Sequence, residues 1–227
     1  MNRAPLIALA FILAAEPARP GIPVETEMTC PVGGEVFTIT ETASCSTMGR
    51  TMSFKPLTSC DFVTRMPVCP GNGLPVYDDF TEVDIAMLTT FVETDDFAAL
   101  RQLPPFLRAY GTARHLGDEG SEAGFWLLLN AHWYEPEAFL KNASALDTFI
   151  AETDAHIARA PDDEAPFLNA ILGYALLRAG RTEAGEARLS RADAEGPDHL
   201  KSYVAQVRAC VGDFEHDGCR PDDPLRE

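Results

Sequence analysis

Six cysteines carry most of the chemistry open to this sequence of 227 residues: Cys30, Cys45, Cys60, Cys69, Cys210 and Cys219. Sulfur in this number supports one of two uses. Four thiolates can hold a structural zinc ion tetrahedrally, usually from two CxxC turns that each aim two ligands at one point. An even set can instead oxidise in pairs, provided that the chain reaches an oxidising compartment. Two of the cysteines head turn-like stretches, CPVGG from Cys30 and CPGNG from Cys69, but Gly33 and Asn72 stand where the second ligands would be. Neither residue supplies a thiolate.

Compartment therefore decides between the two uses, and the first twenty residues, MNRAPLIALAFILAAEPARP, bear on it. Arg3 precedes an apolar run over residues 4–15, and Ala14 and Ala15 are small enough for a cleavage site. The run is too short to span a bilayer, and the prolines of EPARPGIP break any helix that would extend it. The expectation is a signal peptide over residues 1–18 and a soluble periplasmic or secreted protein without membrane anchoring. Export favours disulfides over zinc. Cys210 and Cys219 would then close a ten-residue loop and pin a polar tail over residues 212–227. A metal reading of that tail adds only His216 to its two cysteines, three ligands where a structural zinc site uses four.

The search for other reactive constellations is nearly empty: GxSxG, HExxH, CxxC and a glycine-rich phosphate loop are all missing from the sequence. The expectation is that the protein is not an enzyme. His115, His132 and His156 fall on predicted helices as hydrogen-bonding residues. In AHWYEP, however, His132, Trp133 and Tyr134 crowd one helix end beside Glu135, and these three are the candidate interaction residues. Asp95 with Asp96 and Asp162 with Asp163 stand at predicted helix N-termini, where carboxylates complement the helix dipole. With 35 acidic against 18 basic side chains the net charge is −17, which excludes nucleic acid as a natural partner and leaves basic proteins and cations.

The elements that position these residues fall into two blocks. Residues 19–78 read as a small cysteine-rich, β-rich head: EVFTITETA alternates like a strand, and RTMSFKPL and DFVTRMPV read as further strands limited by Pro56 and Pro67. The two cysteine turns resemble those of CPxCG-type zinc ribbons, which open several bacterial families in which helical repeats follow. The resemblance covers residues 30–78, with the second cysteine of each knuckle missing. It implies that Cys30 and Cys69 lie close together and pair, leaving Cys45 to pair with Cys60. Crossed pairings stay open. The alternative is that Cys45 and Cys60 replace the missing ligands, so that Cys30, Cys45, Cys60 and Cys69 hold zinc. In the chain-entropy model the two disulfide loops contribute about 4 and about 3 kcal/mol.

Residues 79–211 read as helical. TEVDIAMLTTFVE opens with a capping box, Thr81 and Asp84, and carries Val83, Met87, Leu88 and Phe91 on one side. Helical pieces follow over residues 95–102 and 104–116, and AGFWLLLNAHWY is apolar nearly all round, as a central buried helix must be. Leu146, Phe149, Ile150, Thr153 and Ile157 form one amphipathic face; Leu168, Ile171, Leu172, Ala175 and Leu176 a second; Leu200, Tyr203, Val204 and Val207 a third. Pro161 and Pro197 are 36 residues apart, near the period of helix-pair repeats. Between them, Leu172, Gly173, Gly180, Ala192 and Pro197 resemble a tetratricopeptide repeat, with departures at Asn169 and Gly185. The fold class expected is mainly α, a small disulfide-linked zinc-ribbon-like head followed by an irregular tetratricopeptide-like array. Its expected function is an exported interaction or scaffold module that binds a protein or peptide without a cofactor. The alternative is a metal-handling protein or enzyme with a four-cysteine zinc site in the head.

Overall fold

The computed structural model describes residues 21–161 and 163–226; the expected signal peptide and Asp162 lie outside the described residues. The chain is mainly α, with two small antiparallel hairpins preceding nine helices among the described residues.

The first hairpin pairs β1 (Pro23–Thr29) with β2 (Val36–Thr42) in register from Pro23 opposite Thr42 to Thr29 opposite Val36. Its connection is the first cysteine turn. There the Cys30 N–H donates to the Glu35 carbonyl at 2.8 Å and the Gly34 N–H to the Cys30 carbonyl at 3.2 Å. The second cysteine turn repeats the pattern: Cys69 N–H to Leu74 carbonyl and Gly73 N–H to Cys69 carbonyl, both at 2.8 Å. Gly33, Gly34 and Gly73 have φ of 97°, 68° and 79°, values that side chains with a Cβ avoid, so these tight turns depend on glycine. The second hairpin pairs β3 (Thr47–Arg50) with β4 (Pro56–Thr58).

Two strand expectations are corrected. RTMSFKPL is not one strand: it is split by a turn in which Phe54 takes φ 63° and the Phe54 N–H donates to the Thr51 carbonyl. DFVTRMPV forms turns and bends, with only an isolated bridge between Val68 and Pro75, because Pro67 has no N–H for a ladder. β1 went unanticipated because its Glu25 and Glu27 dilute any apolar signal.

The helices are α1 (Glu82–Phe91), α2 (Asp95–Leu100), α3 (Pro105–Leu116), α4 (Glu122–Tyr134) and α5 (Pro136–Lys141), followed by α6 (Ala143–Ile157), α7 (Ala165–Arg178), α8 (Thr182–Glu195) and α9 (Asp198–Ala209). Their ends follow local chemistry. Thr81 and Asp84 form the capping box of α1, Thr94 caps α2 ahead of Asp95 and Asp96, and Gly117 ends α3 at φ 87°. Of the apolar side expected on α1, Leu88 and Phe91 are buried while Val83 and Met87 face solvent. The face of α7 and that of α9 bury completely; on α6, Leu146, Phe149 and Thr153 do.

Consecutive helices stack: α3 on α4, α4 on α6, α6 on α7, α7 on α8 and α8 on α9. α7 and α8 meet at their glycines. A Cβ added at Gly173 would lie 3.1 Å from the Gly185 carbonyl oxygen, and one at Gly185 would lie 3.0 Å from that of Gly173. Two apolar cores result. The larger draws on α3 to α9 but also takes in Met52 and Phe54 from the β3–β4 turn and Leu225 from the tail. The smaller joins Cys30, Val32, Cys69 and Leu74 to Leu88, Phe91 and Phe97 of α1 and α2.

Candidate functional site

All six cysteines are in disulfides: Cys30–Cys69, Cys45–Cys60 and Cys210–Cys219, with Cα separations of 5.6, 5.7 and 5.5 Å. In that form Cys30, Cys45, Cys60 and Cys69 offer no thiolate to a metal. The positions of the missing knuckle ligands face one another. The Asn72 side-chain amide donates to the Val32 carbonyl at 2.8 Å, and its oxygen accepts from the Leu74 N–H at 2.9 Å. Glu35 reaches across from the first turn to accept the Gly71 N–H of the second. The two turns are therefore held by one covalent bond, buried against α1 and α2, and by a hydrogen-bonded clasp nearer the surface.

His132, Trp133, Tyr134 and Glu135 are turned toward the chain itself. The Trp133 indole N–H donates to the Ser53 carbonyl at 3.1 Å. Tyr134 stacks on Phe106, and the Lys55 ammonium and Arg65 guanidinium lie 5.2 and 5.5 Å from its ring centre. Glu135 accepts the Phe106 and Leu107 N–H groups at 2.6 and 3.0 Å and so caps α3; burial pushes its carboxyl pKa up, against the pull of those two bonds and of Arg108. This helix end is where the β3–β4 turn docks on the helices.

His132 is 1% exposed, ringed by Phe139, Phe149 and Tyr174 with centroid separations of 5.6, 5.9 and 6.1 Å. Burial first, then the Arg178 cation, lowers its pKa from 6.5 to about 3. The Ser53 backbone opposes both, and its carbonyl also accepts the Trp133 indole N–H. Both His132 ring nitrogens, the Tyr174 hydroxyl and Arg178 Nη1 have no hydrogen-bond partner among the described residues. Burial likewise raises the Tyr174 pKa. Arg178 uses Nη2 on Glu137 and on Glu215 of the tail. His115 and His156 stack on phenylalanines: His115 is exposed and lies on Phe91, and His156 is half-buried on Phe125, with centroids at 3.7 and 4.2 Å.

A surface feature that the sequence reading passed over lies on α4. The helix buries Gly124, Phe125, Leu127, Leu128, Leu129, Ala131 and His132, while on the face of Glu122, Trp126 and Asn130, spaced four residues apart, the first two are exposed and the third half-buried. Trp126 is 39% exposed and separates two cavities. One, of about 500 Å³, runs to the end of α6 and the α6–α7 connection and is lined by Glu122, Trp126, His156, Arg159 and Glu164. The other, of about 390 Å³, lies between the head and the helices, with Met66, Val76, Phe106 and Leu127 as its apolar wall. Arg65, Asp78 and Asn130 add polar groups to that wall, and Tyr77 lines it too, with its hydroxyl unpartnered among the described residues and its pKa raised by burial. The signal available in EAGFWLLLNAHWY was the polar pair Glu122 and Asn130, four residues to either side of Trp126.

The sequence matches no protein-family model, and no curated protein or solved structure is detectably similar to it.

Proposed function

We propose that the protein is an exported interaction module that binds a protein or peptide segment in the groove divided by Trp126, with the helices arranged as an irregular tetratricopeptide-like array. The observation that carries this reading is the exposed indole of Trp126 between two cavities of ligand-binding size on a helix whose other large apolar side chains are buried or half-buried. Exposed tryptophan beside concave surface is the side chain most enriched among residues that dominate binding energy. The close meeting of Gly173 and Gly185 supports a repeat-like α7–α8 hairpin, and three disulfides fit a periplasmic or secreted location. His132, Trp133 and Tyr134 are assigned to holding the head on the helices rather than to a partner. The alternative, a four-cysteine zinc site in the head of a metal-handling protein or enzyme, requires that Cys30–Cys69 and Cys45–Cys60 first be reduced.

The test uses a partner purified from the host's cell envelope on the immobilised oxidised protein, with its Kd measured by calorimetry for wild type and W126A. A loss of about 10-fold or more on truncation is expected for a central aromatic anchor. An unchanged Kd would place the interface elsewhere and end this reading.

A further inference from the structure

We propose that the Trp126 groove selects a basic, apolar peptide segment, with a Lys or Arg side chain laid over the Trp126 indole and a neighbouring aliphatic or aromatic side chain in the head-side cavity. This rests on the peptide-binding reading above and specifies the ligand.

The chemistry begins with Trp126. Its indole N–H donates to Glu122 Oε1 at 3.4 Å, which places a carboxylate at the edge of an exposed aromatic ring. A cation over the face of a tryptophan is attracted by the ring quadrupole, and a carboxylate beside it completes the recognition. Glu164 supplies a second carboxylate in the same cavity and Asp78 a third beyond the ridge. None of the three is in an ion pair among the described residues.

Of the two arginines along the groove, Arg65 is engaged by the chain itself. Arg65 donates to the Cys60 carbonyl at 2.9 Å and lies over Tyr134. Arg159 lines the wider cavity just past the end of α6, so the incoming cation is placed at the opposite, Trp126 and Glu122 end. His156 forms an aromatic wall, stacked on Phe125 and edge-on to Trp126 at 6.3 Å.

Across the ridge, Met66, Val76, Phe106 and Leu127 accept an apolar side chain. The chain's net charge of −17 draws a basic segment toward this surface and repels an acidic one.

The experiment takes the oxidised full chain and an array of labelled 12-residue peptides in which Lys/Arg, Asp/Glu and Leu/Phe content vary independently, read by fluorescence anisotropy. Peptides carrying Lys or Arg next to Leu or Phe should bind. W126A should weaken them about 10-fold or more, and E122Q, which keeps the indole and its hydrogen-bond acceptor, about 3-fold or more. E183Q, far along α8, should bind as wild type. If acidic or uncharged peptides bind with the same dependence on Trp126, the groove stands and the cation assignment falls. If basic peptides bind equally with or without apolar side chains, the attraction is only the net charge and the proposal falls. Basic binding that neither W126A nor E122Q changes overturns both the proposal and the groove reading.

Discussion

His132 shows how much a single buried group can dictate. Its pKa in the fold, about 3, lies below the ordinary 6.5 it regains on unfolding. The unfolded chain therefore binds the proton more tightly. The stability tied to a neutral His132 is complete above pH 6.5 and drains as pH falls toward 3, at about 1.4 kcal/mol per pH unit. Urea unfolding at pH 7.5 and at pH 5 should differ by about 2 kcal/mol through this residue alone. In H132L this contribution should vanish, and stability at pH 7.5 should hold or rise, because two unpartnered ring nitrogens leave the core. An unchanged pH slope in H132L would remove His132 as its source. None of this was legible in AHWYEP. Trp and Tyr beside a His look like a binding surface, and only the fold reveals that Trp133 and Tyr134 meet Ser53, Lys55 and Arg65 some eighty residues earlier, while Trp126 in the apolar run faces solvent.

At the scale of elements, helices announce themselves through local rules and these strands do not. Thr81 with Asp84, Thr94 with Asp95 and Asp96, and Gly117 each act within a few residues, so the ends of α1, α2 and α3 could be read from the chain. β1 draws its stability from seven cross-strand partners, and the turn that divides RTMSFKPL depends on Phe54 being buried elsewhere, so neither has a local signature. Gly173 and Gly180 separate two causes that a sequence comparison merges. At Gly173 the problem is space: an added methyl would sit 2.7 Å from Leu189 and 3.1 Å from the Gly185 carbonyl. At Gly180 it is backbone, since φ is 75° and nothing lies within 4 Å. G173A should cost about 1–3 kcal/mol by overpacking and G180A about 1 kcal/mol by strain. Shortening Leu189 in the L189A background should shrink the first penalty and leave the second intact. Equal G173A penalties in both backgrounds would mean that the Leu189 side chain is not what the added methyl meets.

For the whole molecule, the question is what makes a head of hairpins and an array of helices one folding unit. The ribbon resemblance anticipated Cys30–Cys69 and Cys45–Cys60, and the short spacing anticipated Cys210–Cys219. What the sequence could not reveal is that the tail returns to the head, because that contact is made by backbone groups some 170 residues apart. Met52 N–H donates to the Asp223 carbonyl at 2.8 Å, Ser53 N–H to Pro221 at 3.1 Å and Leu225 N–H to Arg50 at 2.8 Å. This strap holds Met52 and Phe54, both essentially unexposed, in the helical core, and Cys210–Cys219 anchors it to the end of α9. In a W126F background, fluorescence of Trp133, which reports the Ser53 contact, and far-ultraviolet circular dichroism, which reports the helices, should therefore follow one unfolding curve in the oxidised protein. C210S/C219S should lower stability by about 2–3 kcal/mol and move the Trp133 signal to lower denaturant than the helical signal, because the strap no longer starts from a fixed point. Two separate transitions already present in the wild type, or coincident curves in the double variant, would show that the tail does not couple head to helices.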